Sequence, residues 1–332
     1  MDMIGLGEDM GLWTAVVLMA LSFALLAKCA DWLVEGAIDI AHYLRAPPIL
    51  IGIVIVGIGT TAPELAVSVT AALKGNPEVA LGNAVGSVIY DDGIALPMAA
   101  LFAREAIPID RVVLRSAALF LIVVDLAAWY MAYDGTLARS EGGVLVVLFA
   151  LYLLYSFWEQ RRQPHQAEEE GAARSLWIVA ALFAGGLTGV IVSSHAIVLA
   201  TPVVAAALGL PQVVIGLVVV ALGTSIPEIA TCIVAARKGQ GALAVGNILG
   251  ADILNICWIA GASALANPLT IAPQVVNFMF PWMMAIVLVM LGSMRLGYGL
   301  NRWKGVVLFV LCMAYLAHLF TTNPGALQVP AP

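Results

Sequence analysis

Long apolar runs alternate with short polar connections along this chain. Ten of the runs approach or exceed the roughly 20 residues that a helix needs to cross a bilayer. Their approximate bounds are 11–41, 49–73, 79–102, 112–133, 142–158, 175–208, 212–236, 241–266, 273–294 and 304–320. The first and sixth exceed what a perpendicular crossing requires, which predicts strong tilt. The pattern therefore predicts an all-α integral membrane protein with ten transmembrane helices. One polar stretch of any length interrupts it, "EQRRQPHQAEEEGAAR" between the fifth and sixth runs. A charge run this short reads as a solvated linker, too small to be a regulatory domain. Three segments follow: residues 1–158, a linker over 159–174, and residues 175–332.

Composition supports the membrane class. Of 332 residues, 62% are hydrophobic and 11% charged, against about 45–50% and about 25% in soluble domains. A formal net charge of −6, with the basic residues confined between apolar runs, argues against a nucleic-acid partner. The cysteines Cys29, Cys232, Cys257 and Cys312 are isolated within apolar runs, which suggests neither a disulfide framework nor a metal cluster. The start "MDMIGLGEDM" lacks the positive stretch of a cleavable signal, so the first run is expected to be retained as a span.

The basic residues also orient the spans. Every second connection, with the span ends that border it, contains Arg45; Arg104, Arg111 and Arg115; Arg161, Arg162 and Arg174; Arg237 and Lys238; or Arg295, Arg302 and Lys304, twelve in all. Lys74 and Arg139 alone occupy the alternate connections, and Lys28 lies within the first span. The positive-inside rule then predicts both termini outside and the 159–174 linker in the cytoplasm. The cell (inner) membrane is the expected location.

A shift of 164 residues brings the sequence onto itself. Residues 47–91, "PPILIGIVIVGIGTTAPELAVSVTAALKGNPEVALGNAVGSVIYD", align without a gap to 211–255, "PQVVIGLVVVALGTSIPEIATCIVAARKGQGALAVGNILGADILN", with 19 of 45 positions identical. The identities include Gly59/Gly223, Thr60/Thr224, Pro63/Pro227, Glu64/Glu228, Lys74/Lys238, Gly82/Gly246, Asn83/Asn247 and Gly86/Gly250. Hydrophobic helices resemble one another by composition, but a shared proline, glutamate and asparagine at fixed register do not arise that way. Five spans separate the copies, an odd number, so they enter the membrane from opposite sides. Two inverted five-helix repeats are a secondary-transporter signature, with the binding site at the midplane where they meet.

The polar motif in each copy falls near the middle of its span. A charge there costs roughly 2.5–3.5 kcal/mol on insertion scales, so Glu64 and Glu228 are functional candidates by position alone. Pro63 has no N–H, so the Gly59 carbonyl loses its helical partner; Pro227 does the same to Gly223. Bare carbonyls survive at bilayer depth where they line a cavity or meet a ligand. Four-residue spacing predicts that Thr60 shares a helix face with Glu64, and Thr224 with Glu228. Carbonyl, hydroxyl and carboxylate oxygens together describe a hard-cation site suited to calcium. In the following span Ser87 and Asp91 are likewise four apart, with Ala251 and Asn255 at the matching positions. "GNAVG" and "GNILG" place small residues where helices pack closely.

These residues carry a resemblance. "GTTAPE…GNAVGSVIYD" and "GTSIPE…GNILGADILN" resemble the two alpha-repeats of the calcium:cation antiporter superfamily, whose best-known branch is the sodium/calcium exchangers. "ADWLVEGA" (30–37) is similar to that family's first-span motif, and "YDGTLARSEG" (133–142) to its fourth-to-fifth connection. The resemblance covers nearly the whole chain. It implies calcium held between the two glutamates and sodium sites nearby built from serine, threonine and carbonyl oxygens, which adds Thr61 and Ser225 to the candidates. It further implies alternating access by sliding of the first and sixth helices. No cofactor is implied beyond the transported ions. The expected partners are inorganic cations and the lipid bilayer, with no obligate protein partner. The family's "GSN" reads "GSV" at 86–88 and "GAD" at 250–252 here. Ala251 removes a hydroxyl where the resemblance places a sodium ligand, and Asp252 substitutes a carboxylate nearby.

Other residues have simpler readings. His195 reads as an interior histidine, and Lys28, Asp31 and Asp125 as members of intramembrane ion pairs or, for the lysine, a snorkelling side chain. Asp92 points about 100° away from Asp91 on an α-helix. The aromatic residues at 152, 155, 157 and 158 read as an interfacial belt. The expected function is calcium–sodium antiport. Its rivals are the same fold coupled to protons or other cations and, from another class, a membrane-embedded lipid-phosphate hydrolase. The enzyme reading lacks an arginine deep within a span to meet phosphate. A channel is disfavoured because tight carboxylate ligation slows release.

Overall fold

The structure, a computed structural model, describes residues 10–44, 46–162, 174–207 and 222–322. Arg45, most of the linker and the first part of the expected 212–236 span lie outside the described residues. The elements are α1 (Leu12–Leu44), α2 (Pro48–Thr60), α3 (Ala62–Leu73), α4 (Pro77–Tyr90), α5 (Leu96–Phe102), α6 (Arg111–Ala132) and α7 (Arg139–Arg162). There follow α8 (Leu176–Ala207), α9 (Ile226–Arg237), α10 (Gly241–Ile253), α11 (Gly261–Ala266), α12 (Phe280–Arg295) and α13 (Arg302–Thr322). Among the described residues, eight helical stretches are long and apolar enough to cross a membrane, and a ninth forms if the bent pair α2–α3 counts as one. The protein is thus a multi-pass, all-α integral membrane protein. The bounds follow the apolar runs closely: Val79–Phe102 and Gly241–Ala266 coincide with the expected third and eighth spans.

Local chemistry explains where the helices start and stop. Pro48, Pro63 and Pro77 sit in first turns, where a missing N–H costs nothing. Each copy of the repeat ends its second helix on Lys-Gly. Gly75 and Gly239 both take φ +77°. The N–H groups of Gly75 and Asn76 donate to the Ala72 and Ala71 carbonyls, and those of Gly239 and Gln240 to the Ala236 and Ala235 carbonyls. That is the same left-handed glycine cap twice.

Pi-helical turns were not foreseen. One interrupts α2 at Gly52–Val56; others join α4 to α5 (Asp91–Ala95) and α10 to α11 (Leu254–Ala260), and a fourth (Val275–Met279) leads into α12. Wider turns leave no simple periodic mark in a uniformly apolar run. Two short antiparallel pairs tie the ends of the spans across the halves of the chain: β1 (Ile107–Pro108) with β4 (Gly299–Leu300), and β2 (Thr136–Leu137) with β3 (Leu269–Thr270).

The two stretches Val79–Phe102 and Gly241–Ala266 form the centre, being 78% and 83% buried against 22% for α1 and for α8. The outer faces remain apolar, with Trp13, Leu21, Leu119 and Leu154 exposed, as lipid contact requires. The helices α1 and α8 pack along one another on the periphery. At their crossing a Cβ on Gly186 would strike the Leu33 backbone, so small residues set the approach.

Three readings need correction. His195 is exposed on the outer side of α8 rather than interior. Tyr152 is not part of a belt: it is buried and stacks on Phe120 with ring centroids 4.5 Å apart. Asp125 is buried and, among the described residues, makes no hydrogen bond or ion pair. A linear sequence marks polarity but not which way a helix faces once tilted and packed. Lys28 does pair with Asp31, at 3.5 Å, from an exposed position. All four cysteines are free and buried.

Candidate ion-binding site

The polar motif falls at a helix break, as its proline requires. Thr61 leaves the helical region at φ −80°, ψ 4°, and α2 and α3 meet there at a 46° bend. Ser225, its repeat mate, has φ −80°, ψ 2° directly before α9. Thr60, Thr61, Glu64, Thr224, Ser225 and Glu228 are all buried.

The breaks bring the two repeat copies together: Glu64 lies beside the Thr224 hydroxyl, and Glu228 beside that of Thr60. Each glutamate is thus faced by the threonine of the other repeat copy, and the two carboxylates and Asp91 share one electrostatic neighbourhood. Asp91 lies beside Ser225. Among the described residues no hydrogen bond satisfies the carboxylates of Glu64, Glu228 and Asp91, nor the hydroxyls of Ser87 and Ser225. Uncompensated carboxylates are costly inside a protein unless a cation or proton joins them. Among the described residues no three His, Cys, Asp or Glu side chains converge as a metal-ligand group.

A second pair of residues orders the hydroxyls. Thr60 Oγ1 donates to Asn247 Oδ1 at 3.2 Å, and Thr224 Oγ1 donates to Asn83 Oδ1 at 3.3 Å. Asn83 Nδ2 in turn donates to Ser68 Oγ at 3.1 Å, and Asn247 Nδ2 to Cys232 Sγ at 3.8 Å. Ser68 and Cys232 are themselves repeat mates. Both asparagines are identities of the repeat, and their recurrence at fixed register is the sequence signal for this task. Asn247→Leu removes the acceptor that aims the Thr60 hydroxyl. Apparent calcium affinity should fall about 3- to 10-fold, and coupling to Thr60→Val should reach about 0.5–1.5 kcal/mol in a double-mutant cycle. Strict additivity of the two substitutions in calcium-dependent flux would contradict this.

The remaining candidates divide. Thr61 Oγ1 donates to the Gly57 carbonyl at 2.9 Å, so its proton is engaged within its own helix. Gly59 and Gly223 both face α8, where a Cβ would meet Leu187 at 2.9 Å and Val198 at 2.6 Å. Asn255 lies buried in the π-helical turn Leu254–Ala260, with neither side-chain atom hydrogen-bonded among the described residues. Asp252 sits beside Asp92, with Asp125 of α6 in the same electrostatic neighbourhood. Asp91 acts on it too, so these acids adjoin those of the glutamate site.

Uncompensated carboxylates at paired helix breaks, deep in a multi-span apolar bundle, define a membrane ion transporter rather than an enzyme. Comparison with known proteins makes this specific. The chain belongs to the sodium/calcium exchanger protein family, whose pattern matches residues 14–158 and 178–321. It is 32% identical over 329 residues to inner membrane protein YrbG of Escherichia coli (strain K12), covering 93% of this chain and 98% of that one. Identity to sodium/calcium exchanger MaX1 of Methanosarcina acetivorans is 30% over 348 residues, covering 92% and 98%. The fold superposes on a solved structure of the sodium-calcium exchanger NCX_Mj with a TM-score of 0.81 at 26% identity, covering 93% of this chain and 100% of that chain.

Proposed function

We propose that this protein is a secondary active antiporter that exchanges calcium for sodium by alternating access. One observation carries the reading: Glu64 and Glu228, related by the internal repeat, are both buried without hydrogen bonds and each faces the other copy's threonine. Calcium is held by the two carboxylates with Thr60, Thr224 and the freed carbonyls of Gly59 and Gly223. Ser87, Asp91, Thr61, Ser225 and Asn255 supply further oxygens for sodium. Asp252 contributes through its neighbour Asp92 rather than by direct ligation of calcium. Doubled glutamates give the site enough negative charge for a divalent ion, and its release is driven by sodium entering neighbouring oxygens.

The architecture we infer is ten transmembrane helices in two inverted five-helix repeats, 1–158 and 175–332, joined by the 159–174 linker. Lysine and arginine asymmetry places both termini outside and the linker in the cytoplasm. The protein sits in the inner membrane and needs no second protein for exchange.

The test is calcium flux into proteoliposomes with sodium, potassium and pH gradients imposed separately. An outward sodium gradient should drive uptake; flux that ignores sodium and follows the pH gradient would overturn sodium coupling. Ala251→Ser adds a second arm. Ser87 has a hydroxyl in the first repeat where Ala251 has none, so the native sodium dependence should be shallow and the substitution should steepen it. An unchanged Hill slope would remove Ala251 from the sodium pathway.

A further inference from the structure

Asp31, Glu35 and Asp39 recur every four residues on α1 and form an acidic stripe along one face. Two cations from elsewhere in the chain meet it. Lys238, just past α9, places its Nζ 2.7 Å from Asp31 and 2.8 Å from Glu35. Arg174, just before α8, lies 3.0 Å from Glu35 and 3.4 Å from Asp39. The Tyr43 hydroxyl also donates to the Arg174 carbonyl. Isolated surface pairs contribute little, but here each cation bridges two carboxylates and Glu35 is shared, so the contacts form one network.

The other side of the molecule has no counterpart. Lys74 is the repeat mate of Lys238, but the α8 positions matching Asp31, Glu35 and Asp39 are His195, Leu199 and Val203. Among the described residues no carboxylate lies within ion-pair distance of Lys74. Packing follows the charges: α1 lies along α9, whereas α8 makes no comparable contact with α3. A repeat in the motifs is therefore broken in the groups that surround them.

We propose that Lys238 forms with Asp31 and Glu35 a one-sided ionic latch, which holds α1 against α9 and sets the resting state of the exchanger as closed on the Lys238 side, while Arg174 ties α1 to the start of α8 so that the two move together. The proposal rests on the alternating-access reading above. Exposing the glutamates on the Lys238 side requires α1 to move relative to α9, which separates Lys238 from Asp31 and Glu35. The mirror movement, of α8 relative to α3, breaks no ion pair. The unloaded protein therefore rests open toward Lys74, and ions enter first from there.

The test is a distance measurement that needs no transport. Spin labels at Leu44→Cys and Gln240→Cys report the gap between the end of α1 and the end of α9; the native cysteines are buried. Wild-type protein in nanodiscs without calcium or sodium should give mainly the short distance. Lys238→Met should raise the ratio of long to short distances about 5-fold or more. Lys74→Met should leave it unchanged. Should the Met variant fail to fold, 1 M choline chloride on the wild-type background should shift the same distribution toward long distances by screening. A distribution indifferent to both the Met variant and salt overturns the latch, as does an equal shift from Lys74→Met. Absent calcium flux in wild-type proteoliposomes would defeat the transport reading while leaving the distance result to stand.

Discussion

Glu64→Gln and Glu228→Gln should each abolish calcium flux while the protein still inserts and folds. Glutamine is nearly isosteric, so packing is preserved and the charge alone is lost. A dehydrated divalent ion then faces one glutamate instead of two. Removing one partner from a buried ionic group costs about 3–5 kcal/mol, a loss of roughly 100-fold or more in affinity at 1.4 kcal/mol per decade. Both carboxylates are already without hydrogen bonds from protein, so the substitutions should not destabilise the fold and are as apt to raise its melting temperature. Flux within a few-fold of wild type in either variant, at matched expression and calcium concentration, would show that the glutamates are not the calcium site.

Gly246→Ala should cost flux at least about 10-fold by a different route. A Cβ at Gly246 would strike the Ile49 carbonyl, and α2 crosses α10 at this point. A methyl group inserted into a backbone contact costs about 1–3 kcal/mol and must push α2 outward. Thr60 ends α2 and bonds to Asn247 of α10, so the displacement reaches the site directly. Gly292→Ala on α12, with no described atom within 4 Å of the added Cβ, is the control and should transport normally. Equal flux from both alanine variants would show that the close crossing is not needed to hold Thr60.

The apolar runs and the doubled motif made much of this legible before any coordinates. A span in lipid must satisfy its backbone within itself, so length and hydropathy alone mark the helices, and observed bounds such as Gly241–Ala266 match the runs. Pro63 and Pro227 announce breaks because proline lacks a donor, and the glutamates stand out because a charge at that depth needs a reason. The Lys-Gly caps are equally local.

What distance along the chain could not reveal is which groups meet. The pairing of Glu64 with Thr224 and of Glu228 with Thr60 depends on a bend at Thr61 and on contact between residues more than 150 apart. Asp252 follows the same logic. Its position in "GAD" suggested the site, but the packing of α10 against the Asp91–Ala95 turn turns it toward Asp92. The ionic latch is the clearest case: Lys74 and Lys238 are identical in the repeat, and only their neighbours on α8 and α1 distinguish them. Periodicity and motif are properties of a few consecutive residues, governed by backbone hydrogen bonding and solvent. Cross-repeat contacts belong to the assembled bundle, where tilt, bends and helix crossings decide which oxygens share a space.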